Sequence, residues 1–423
     1  MSRRVVVTGM GVVAPNGSDV ATFRASLAEG RSAVAPIRRF NASSFPTRIA
    51  AEIDDFDAPE TVDSAQWEQL DRIARFALAA SAQAVADAGL SRGSEVGVVI
   101  AAGFGSYDHA EVFTAAAAGQ NTGGFDWSAF RDQFQRTAKP RALARWSPGS
   151  IPALVAQQYG FRGPVMSVMT ACAAGTQALG DAARWIRSGD ADVILAGGAD
   201  SELYPMGLAS FCLLRALSRR NDEPQQASRP FSASRDGFVL GEGAGMLVLE
   251  EREHAIARGA TIYAEVLGFG SACDSYRVTD PHPDGVGATL SMQRALTQAG
   301  LSAGDVDYLN AHGTSTALND RIEIGAVKRL FGEHAQRVAI TSTKSMIGHL
   351  TVAAGAVEAI ATICSLQEQL AHPTINLDDP DPECDLDLVA NVVRPMKMDV
   401  ALSNSFAFGG QCASILLGRT DRG

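Results

Sequence analysis

Three segments of the chain place reactive side chains where chemistry is possible. The first is Val165-Met166-Ser167-Val168-Met169-Thr170-Ala171-Cys172-Ala173-Ala174-Gly175. An apolar strand runs into a tight turn, the turn presents Cys172, and a helix begins there. The free N–H groups and positive dipole end of that helix favour a thiolate. They would also hydrogen-bond an oxyanion forming on a carbonyl attached to the sulfur. A cysteine among such small neighbours is equally a small buried hydrophobe, and both readings stand at this point. The other two segments shift the balance towards chemistry. Tyr308-Leu309-Asn310-Ala311-His312-Gly313-Thr314-Ser315-Thr316 and Thr341-Ser342-Thr343-Lys344-Ser345-Met346-Ile347-Gly348-His349 each carry a histidine past the end of an apolar strand. Both lie in loops of small polar residues, where a substrate can approach. Gly355 and Glu358 follow on the next helix. The other five histidines, His109, His254, His282, His334 and His372, lie in polar, helical or turn contexts and are expected at the solvated surface.

Competing chemistries lack their patterns. His312 and His349 belong to no HxxxH or HExxH unit, and no carboxylate cluster sits at ligand spacing, so no metal site is expected. Ser315, Ser345 and Ser403 have no GxSxG elbow. Gly9-Met10-Gly11 is a fragment of a dinucleotide fingerprint without its third glycine or a ribose-binding acid, so no nucleotide cofactor is implied. Gly241-Glu242-Gly243-Ala244-Gly245 lacks the Lys-Ser/Thr of a phosphate loop and reads as close strand packing.

The elements that must position these groups alternate along nearly the whole chain. Short β-branched runs at Val5–Thr8, Val96–Ala101, Val165–Met169, Val193–Ala196, Ala244–Glu250, Val306–Asn310, Val338–Thr341 and Ala401–Ser405 read as strands. Helices are expected at Arg72–Ala88, Cys172–Ser188, Gly287–Ala299, Asp320–Phe331 and Thr351–Leu370. Strands this continuously apolar are buried on both faces, which predicts a layered α/β fold. Two parts of similar rhythm divide near residues 255–265, a weak sign of duplication. The least regular stretch, 104–150, carries Phe125, Trp127, Phe130 and Phe134 at roughly helical spacing, expected to pack against the core or a partner subunit.

Composition narrows the class. The chain has 423 residues, 46% hydrophobic and 20% charged, enough apolar material for a large core. With 36 Lys+Arg against 47 Asp+Glu the net charge is −11, so nucleic acid is not an expected main partner. No apolar run reaches the roughly 18–20 residues of a membrane span. The start, Met1-Ser2-Arg3-Arg4-Val5-Val6-Val7, is interrupted by Gly9, Gly11 and Pro15 and reads as a buried first strand rather than a signal peptide. Six scattered cysteines without a CxxC pair argue against a disulfide framework and for a reducing cytoplasm.

Taken together and in order, the motifs resemble one family. From about Arg4 to Leu417 the chain is similar to the β-ketoacyl-acyl carrier protein synthases, condensing enzymes of the thiolase fold, nearest the type II elongating members. The resemblance rests on Val7-Thr8-Gly9-Met10-Gly11, Thr170-Ala171-Cys172, Gly197-Gly198-Ala199 and Arg235-Asp236-Gly237-Phe238-Val239-Leu240-Gly241-Glu242-Gly243-Ala244. It continues through Asn310-Ala311-His312-Gly313-Thr314-Ser315-Thr316, Thr343-Lys344-Ser345-Met346 with Gly348-His349, Pro373-Thr374-Ile375-Asn376, and Asn404-Ser405-Phe406 with Phe408-Gly409-Gly410.

The resemblance implies a duplicated α/β/α/β/α architecture, with residues 1–260 carrying the cysteine and 261–423 both histidines. It implies that Cys172 accepts an acyl group from an acyl carrier protein. His312 and His349 then promote malonyl decarboxylation and stabilise the enolate. Lys344 with Glu358 supports them, although an ordinary ion pair is the plainer account of those two. Phe408 gates the nucleophile on a mobile glycine-rich loop, and its N–H with that of Cys172 forms the oxyanion hole. No cofactor is implied. The partners are an acyl carrier protein and a second subunit, as a homodimer or a heterodimer with a chain-length-factor-like homologue.

Departures bear on the substrate. Ala407 stands where the family has glycine between the two phenylalanines, which is expected to narrow the freedom of the gating loop. Gln411-Cys412 replaces the usual Thr-Asn, and the 104–150 stretch is long. Arg215, Arg219 and Arg220 form a basic cluster expected to meet the carrier's acidic helix, or simply a solvated charged turn. These features leave fatty-acid and type II polyketide or polyene elongation both open, with a slight tilt towards a specialised pathway that uses a chain-length partner. A non-catalytic partner subunit would lack the nucleophilic cysteine. A thiolase would use coenzyme A thioesters with a second cysteine such as Cys412 as base, and the paired-histidine motifs argue against it.

Overall fold

The computed structural model describes residues 3–54, 56–103, 109–138, 147 and 149–420. Ten strands form one large sheet in two halves. In chain order they are β1 (Val5–Val13), β2 (Gly97–Ala102), β3 (Val165–Val168), β4 (Val193–Ser201) and β5 (Glu242–Glu251). Then come β6 (Ala264–Cys273), β7 (Tyr308–Asn310), β8 (Ala339–Thr341), β9 (Val400–Phe406) and β10 (Gln411–Gly418). The first half is ordered β3-β2-β4-β5-β1 and the second β8-β7-β9-β10-β6. In each, the first three strands are parallel and the last two pairings antiparallel. The halves join where Val5, Val6 and Val7 of β1 pair with Val266, Glu265 and Ala264 of β6.

Helices repeat with the same rhythm. In the first half these are α1 (Arg72–Asp87), α2 (Ser150–Tyr159) and α3 (Ala174–Ser188); in the second, α4 (Val286–Ala299), α5 (Ala317–Phe331) and α6 (Ala354–Glu368). Strand alternation assigns the layers. On β2, Val98, Ile100 and Ala102 face a cluster with α1 and α2, whereas Val99 and Ala101 face a central cluster with α3 and α6. On β10, Leu416 faces α4 and α5, and Ile415 and Leu417 face the centre. Both sheet faces are thus apolar, and the architecture is the five-layered α/β/α/β/α arrangement of the thiolase fold, duplicated within the chain.

The glycine pairs near the chain start are packing devices. β1 and β6 each carry a Gly-x-Gly beside a register shift, Gly9-Met10-Gly11 and Gly268-Phe269-Gly270. A Cβ on Gly9 or Gly11 would lie 2.4 or 2.0 Å from the carbonyl oxygens of Ala84 and Ala80 on α1. On Gly268 or Gly270 it would lie 2.1 or 2.0 Å from those of Ala295 and Ser291 on α4. The same backbone-on-backbone contact therefore occurs twice, with Met10 and Phe269 turned to the shared core. Gly243 and Gly245 likewise lie against Val13 and α6, as strand packing requires.

Four expectations need correction. β6 and β10, adjacent strands in the second half of the sheet, were not foreseen. The helix expected from Cys172 starts at Ala174, after a single tight turn over Ala171–Ala173. The aromatic stripe packs on itself rather than on the core: Phe125, Trp127 and Phe130 have ring centroids 4.7–6.0 Å apart, with Trp127 73% exposed. In that stretch 104–108, 139–146 and 148 lie outside the described residues. His372 is 2% exposed rather than solvated, and its Nε2 lies 3.0–3.3 Å from the hydroxyls of Tyr308, Thr341 and Thr343.

Two outcomes follow. Gly270→Ala drives a methyl into the α4 backbone, and a loss of about 3 kcal/mol in denaturant unfolding is expected. Burial holds His372 down at about 4, so the folded protein resists its protonation while the unfolded chain accepts it near 6.5. The stability tied to neutral His372 is complete above about pH 6.5 and fades towards pH 4. His372→Gln should therefore destabilise less at pH 5 than at pH 7.5, by about 2 kcal/mol. A constant difference would contradict it.

Candidate active site

Two tight elbows, each opening a helix, meet in the central layer. After β3 the chain turns through Ala171, at φ 46°, into the turn Ala171–Ala173 and then α3. In the second half it turns through Thr351, at φ 48°, into Thr351–Ala353 and then α6. Non-glycine residues rarely occupy this left-handed region, so both elbows are strained and held by their surroundings. The helix starts abut directly: a Cβ on Gly175 would lie 2.8 Å from Ala356 N, and one on Gly355 2.7 Å from Thr176 N. Cys172 occupies the first elbow, and Val352 its counterpart in the second.

Cys172, His312, His349 and Phe408 line one cavity of about 390 Å³, with Arg215 and Leu214 also among its lining residues. His312 follows β7. Its loop is fastened by Glu323 of α5, whose buried carboxylate accepts the N–H groups of His312 and Gly313, each at 2.9 Å, and Asn404 Nδ2 at 3.1 Å. His349 is fastened from the other half of the chain: its N–H donates to the Val239 carbonyl at 2.7 Å, and its own carbonyl accepts from Gly241 N–H at 2.9 Å. The Arg235–Ala244 motif thus has a structural purpose. Arg235 pairs with Asp320 and Asp381, Val239–Gly241 grip His349, and Glu242, fully buried, binds Arg39 and Arg72.

Hydrogen bonds fix both imidazoles in the same tautomer. Lys344 Nζ lies 3.3 Å from His312 Nδ1, and an amine cation offers donors only. Thr351 N–H donates to His349 Nδ1 at 3.3 Å. Both rings therefore carry their proton on Nε2. Burial, reinforced by Lys344, holds both histidines well below the usual imidazole range, so they are neutral donors at pH 7. Their ring centroids are 5.3 Å apart, edge to face. Lys344 and Glu358, each 1% exposed, form a buried ion pair. Burial nevertheless lifts the Glu358 carboxyl to about 7, against the pull of Lys344.

At Cys172 two influences oppose each other: the helix start favours a thiolate, while burial pushes the thiol up to about 12, a pull that Lys344 partly opposes. On the gating segment, Ala407 is extended, φ −137°, so alanine carries no strain there; the left-handed positions are Gly409 and Gly410. Cys412 is buried in the same cavity wall with its Sγ towards the Gly410 carbonyl at 3.7 Å, and burial raises its thiol further. It is poorly disposed to act as a base.

The basic cluster divides. Arg215 and Arg219 are exposed, Arg215 at the cavity with φ 54°. Arg220 is half-buried, donating to the Ser234 carbonyl at 2.8 Å beside Asp236, and does not line the cavity. Sequence reasoning passed over Glu323 and Asp200. Glu323 had one readable signal, a carboxylate in the i, i+3, i+4, i+7 stripe Asp320, Glu323, Ile324 and Val327, all buried. Glu323→Gln sets an amide N–H₂ against the loop's own donors. A loss of about 2 kcal/mol in unfolding free energy is expected, together with at least about a tenfold fall in turnover from a displaced His312.

Relatives agree with this geometry. The description "Beta-ketoacyl synthase, N-terminal domain" matches residues 2–255, and "Beta-ketoacyl synthase, C-terminal domain" matches residues 263–378. A 3-oxoacyl-[acyl-carrier-protein] synthase 2 of Coxiella burnetii is 44% identical over 426 residues, covering 99% of each chain. A solved type II polyketide acyl-carrier protein, in complex with its ketosynthase bound to the hexaketide, gives a TM-score of 0.88 at 36% identity, covering 99% of this chain and 100% of that one. The ishigamide ketosynthase/chain length factor gives 0.87 at 35%, covering 99% of both. With both halves matched and a near full-length relative at this identity, the chain belongs to the beta-ketoacyl synthase family.

Proposed function

We propose that this chain elongates acyl groups carried on an acyl carrier protein by decarboxylative condensation with malonyl-carrier, through a covalent intermediate on Cys172. The observation that carries the assignment of roles is the convergence of the Cys172 thiol and two neutral Nε2–H donors on a single cavity. In the first step the Cys172 sulfur attacks the acyl thioester and its proton leaves with the carrier thiol. The N–H groups of Cys172 and Phe408 receive the tetrahedral oxyanion. In the second step malonyl thioester loses carbon dioxide, and the electron pair passes to an enolate whose oxygen accepts from both Nε2–H groups. The enolate carbon attacks the Cys172 thioester, and the Cys172 thiolate is expelled and takes up a proton from solvent. A neutral imidazole suits this task because it donates a hydrogen bond without surrendering a proton outright. The Lys344–Glu358 pair keeps His312 in its tautomer and sets the field beneath it.

On this reading residues 1–260 supply the nucleophile and 261–423 the two donors. The six cysteines all carry free thiols, which supports a reducing, cytoplasmic setting; among the described residues no helix is long and apolar enough to cross a membrane. Arg215 is the docking residue best placed for an acidic carrier, Arg219 a second contact, and Arg220 mainly a brace for the loop. A pathway with a chain-length-factor partner is the second reading, favoured by likeness to ketosynthases of that kind.

Intact-mass spectrometry with a panel of acyl-carrier thioesters tests the scheme. One acyl mass on wild type and none on Cys172→Ala is expected. Acylation by coenzyme A thioesters alone would favour the thiolase reading. If acylation appears only after co-expression with a chain-length homologue, the heterodimer reading holds. Arg215→Glu should lower the carrier-dependent rate about tenfold at low salt, with the deficit shrinking as salt rises. An unchanged rate at low salt would remove Arg215 from the docking surface.

A further inference from the structure

Asp200 ends β4 in the first half of the chain, 1% exposed, and no step described above uses it. Its carboxylate gathers three donors. Ser201 N–H reaches Oδ1 at 2.9 Å, Val352 N–H reaches Oδ2 at 3.0 Å, and the Thr351 hydroxyl also donates to Oδ2. Two of the three come from the strained elbow of the other half, and Thr351 is the residue whose N–H fixes His349 Nδ1. We infer that Asp200 is a positioning residue for the carbanion-forming step, clamping the Thr351 elbow so that His349 keeps its Nε2–H directed into the cavity.

The argument is geometric. A lone Thr351 at φ 48° would relax towards ordinary backbone, because the left-handed region is unfavourable for a β-branched residue. Oδ2 offers two anchor points on successive residues, one a side-chain hydroxyl and one a backbone N–H, and together they pin the elbow. If the elbow relaxes, His349 Nδ1 loses its donor and can take the ring proton itself. Nε2 would then face the enolate with a lone pair instead of an N–H. Burial pushes the Asp200 carboxyl up, and the hydrogen bonds from Thr351, Val352 and Ser201 pull it back down; the clamp therefore rests on those three donors converging on its two oxygens.

The inference rests on the reading of His349 as an enolate donor, and the test separates the two. Wild type, Asp200→Asn, Thr351→Ala, Thr351→Ser and His349→Ala are compared in two half-reactions: acylation of Cys172 by an acyl-carrier thioester, read by intact mass, and carbon dioxide release from malonyl-carrier. For Asp200→Asn and Thr351→Ala, decarboxylation should fall about tenfold or more while acylation stays within about twofold. Thr351→Ser, which restores the hydroxyl, should recover most of the loss. Parallel loss of both half-reactions, an unaffected decarboxylation, or a Thr351→Ser variant as impaired as Thr351→Ala would each overturn the proposal. If His349→Ala itself decarboxylates normally, the reading of His349 fails, and this inference with it. If His349→Ala fails and Thr351→Ala does not, the clamp alone is wrong. Thr351→Ala and Thr351→Ser keep the test decisive should Asp200→Asn not fold.

Discussion

The rest of the structure depends on a backbone contact. The starts of α3 and α6 meet so closely that Gly175 and Gly355 have room only for hydrogen. Because both helices emerge from strained turns, this contact brings two elbows from distant parts of the chain side by side. One elbow presents Cys172; the other follows His349 and supplies the N–H that orients it. A larger residue at either glycine would push the helices apart, and the nucleophile would separate from the donor. The site is thus built on a symmetry axis internal to one chain, with chemistry placed unequally on its two sides. Val352 stands where Cys172 stands, and both histidines of the cavity come from the second half.

Around that axis the protein buries polar groups that seldom go unpaired. His312 and His349 are kept neutral by burial, yet each retains one donor to Nδ1, which decides where its proton sits. Glu323 is satisfied by three donors, Asp200 by three, and Glu242 by two arginines. These carboxylates act mainly as anchors for loop backbone: each turns a segment that would be mobile by composition into one held to fractions of an ångström, as donors to a short-lived enolate require. Burial cuts the other way at Cys172, where it opposes the thiolate that the helix dipole favours.

Much of the fold could be read in advance, and where the reading failed the reason is physical. Eight of the strands announce themselves as β-branched runs, and all of these but the edge strand β3 are buried on both faces. β6 and β10 do not. β6 carries Gly268 and Gly270 at positions that intrinsic strand preference would avoid, since α4 needs that space. β10 opens with Gln411-Cys412-Ala413-Ser414, small and mixed residues that face Asn404, α4 and the cavity rather than a uniform core. His372 sits between an alanine-rich helix and a proline, which looks like surface, and only the approach of Tyr308 and Thr341 from neighbouring strands encloses it.

The sequence by itself determined the layered α/β class and picked out the candidate residues for the chemistry. Nucleophiles, donors and apolar strands are chosen by residue type and local spacing, which a one-dimensional pattern records. Only the tertiary structure decided how the two elbows face each other and that both Nε2 atoms hold the ring protons. It alone exposed Glu323 and Asp200 as anchors and separated Arg215 from Arg220. Apart from the Thr351 donor to His349, these properties arise from contacts between residues 10 to more than 150 positions apart, such as Asp200 with Val352 and Gly313 with Glu323. No local spacing encodes such contacts, because packing and desolvation are set by whatever the folded chain brings alongside.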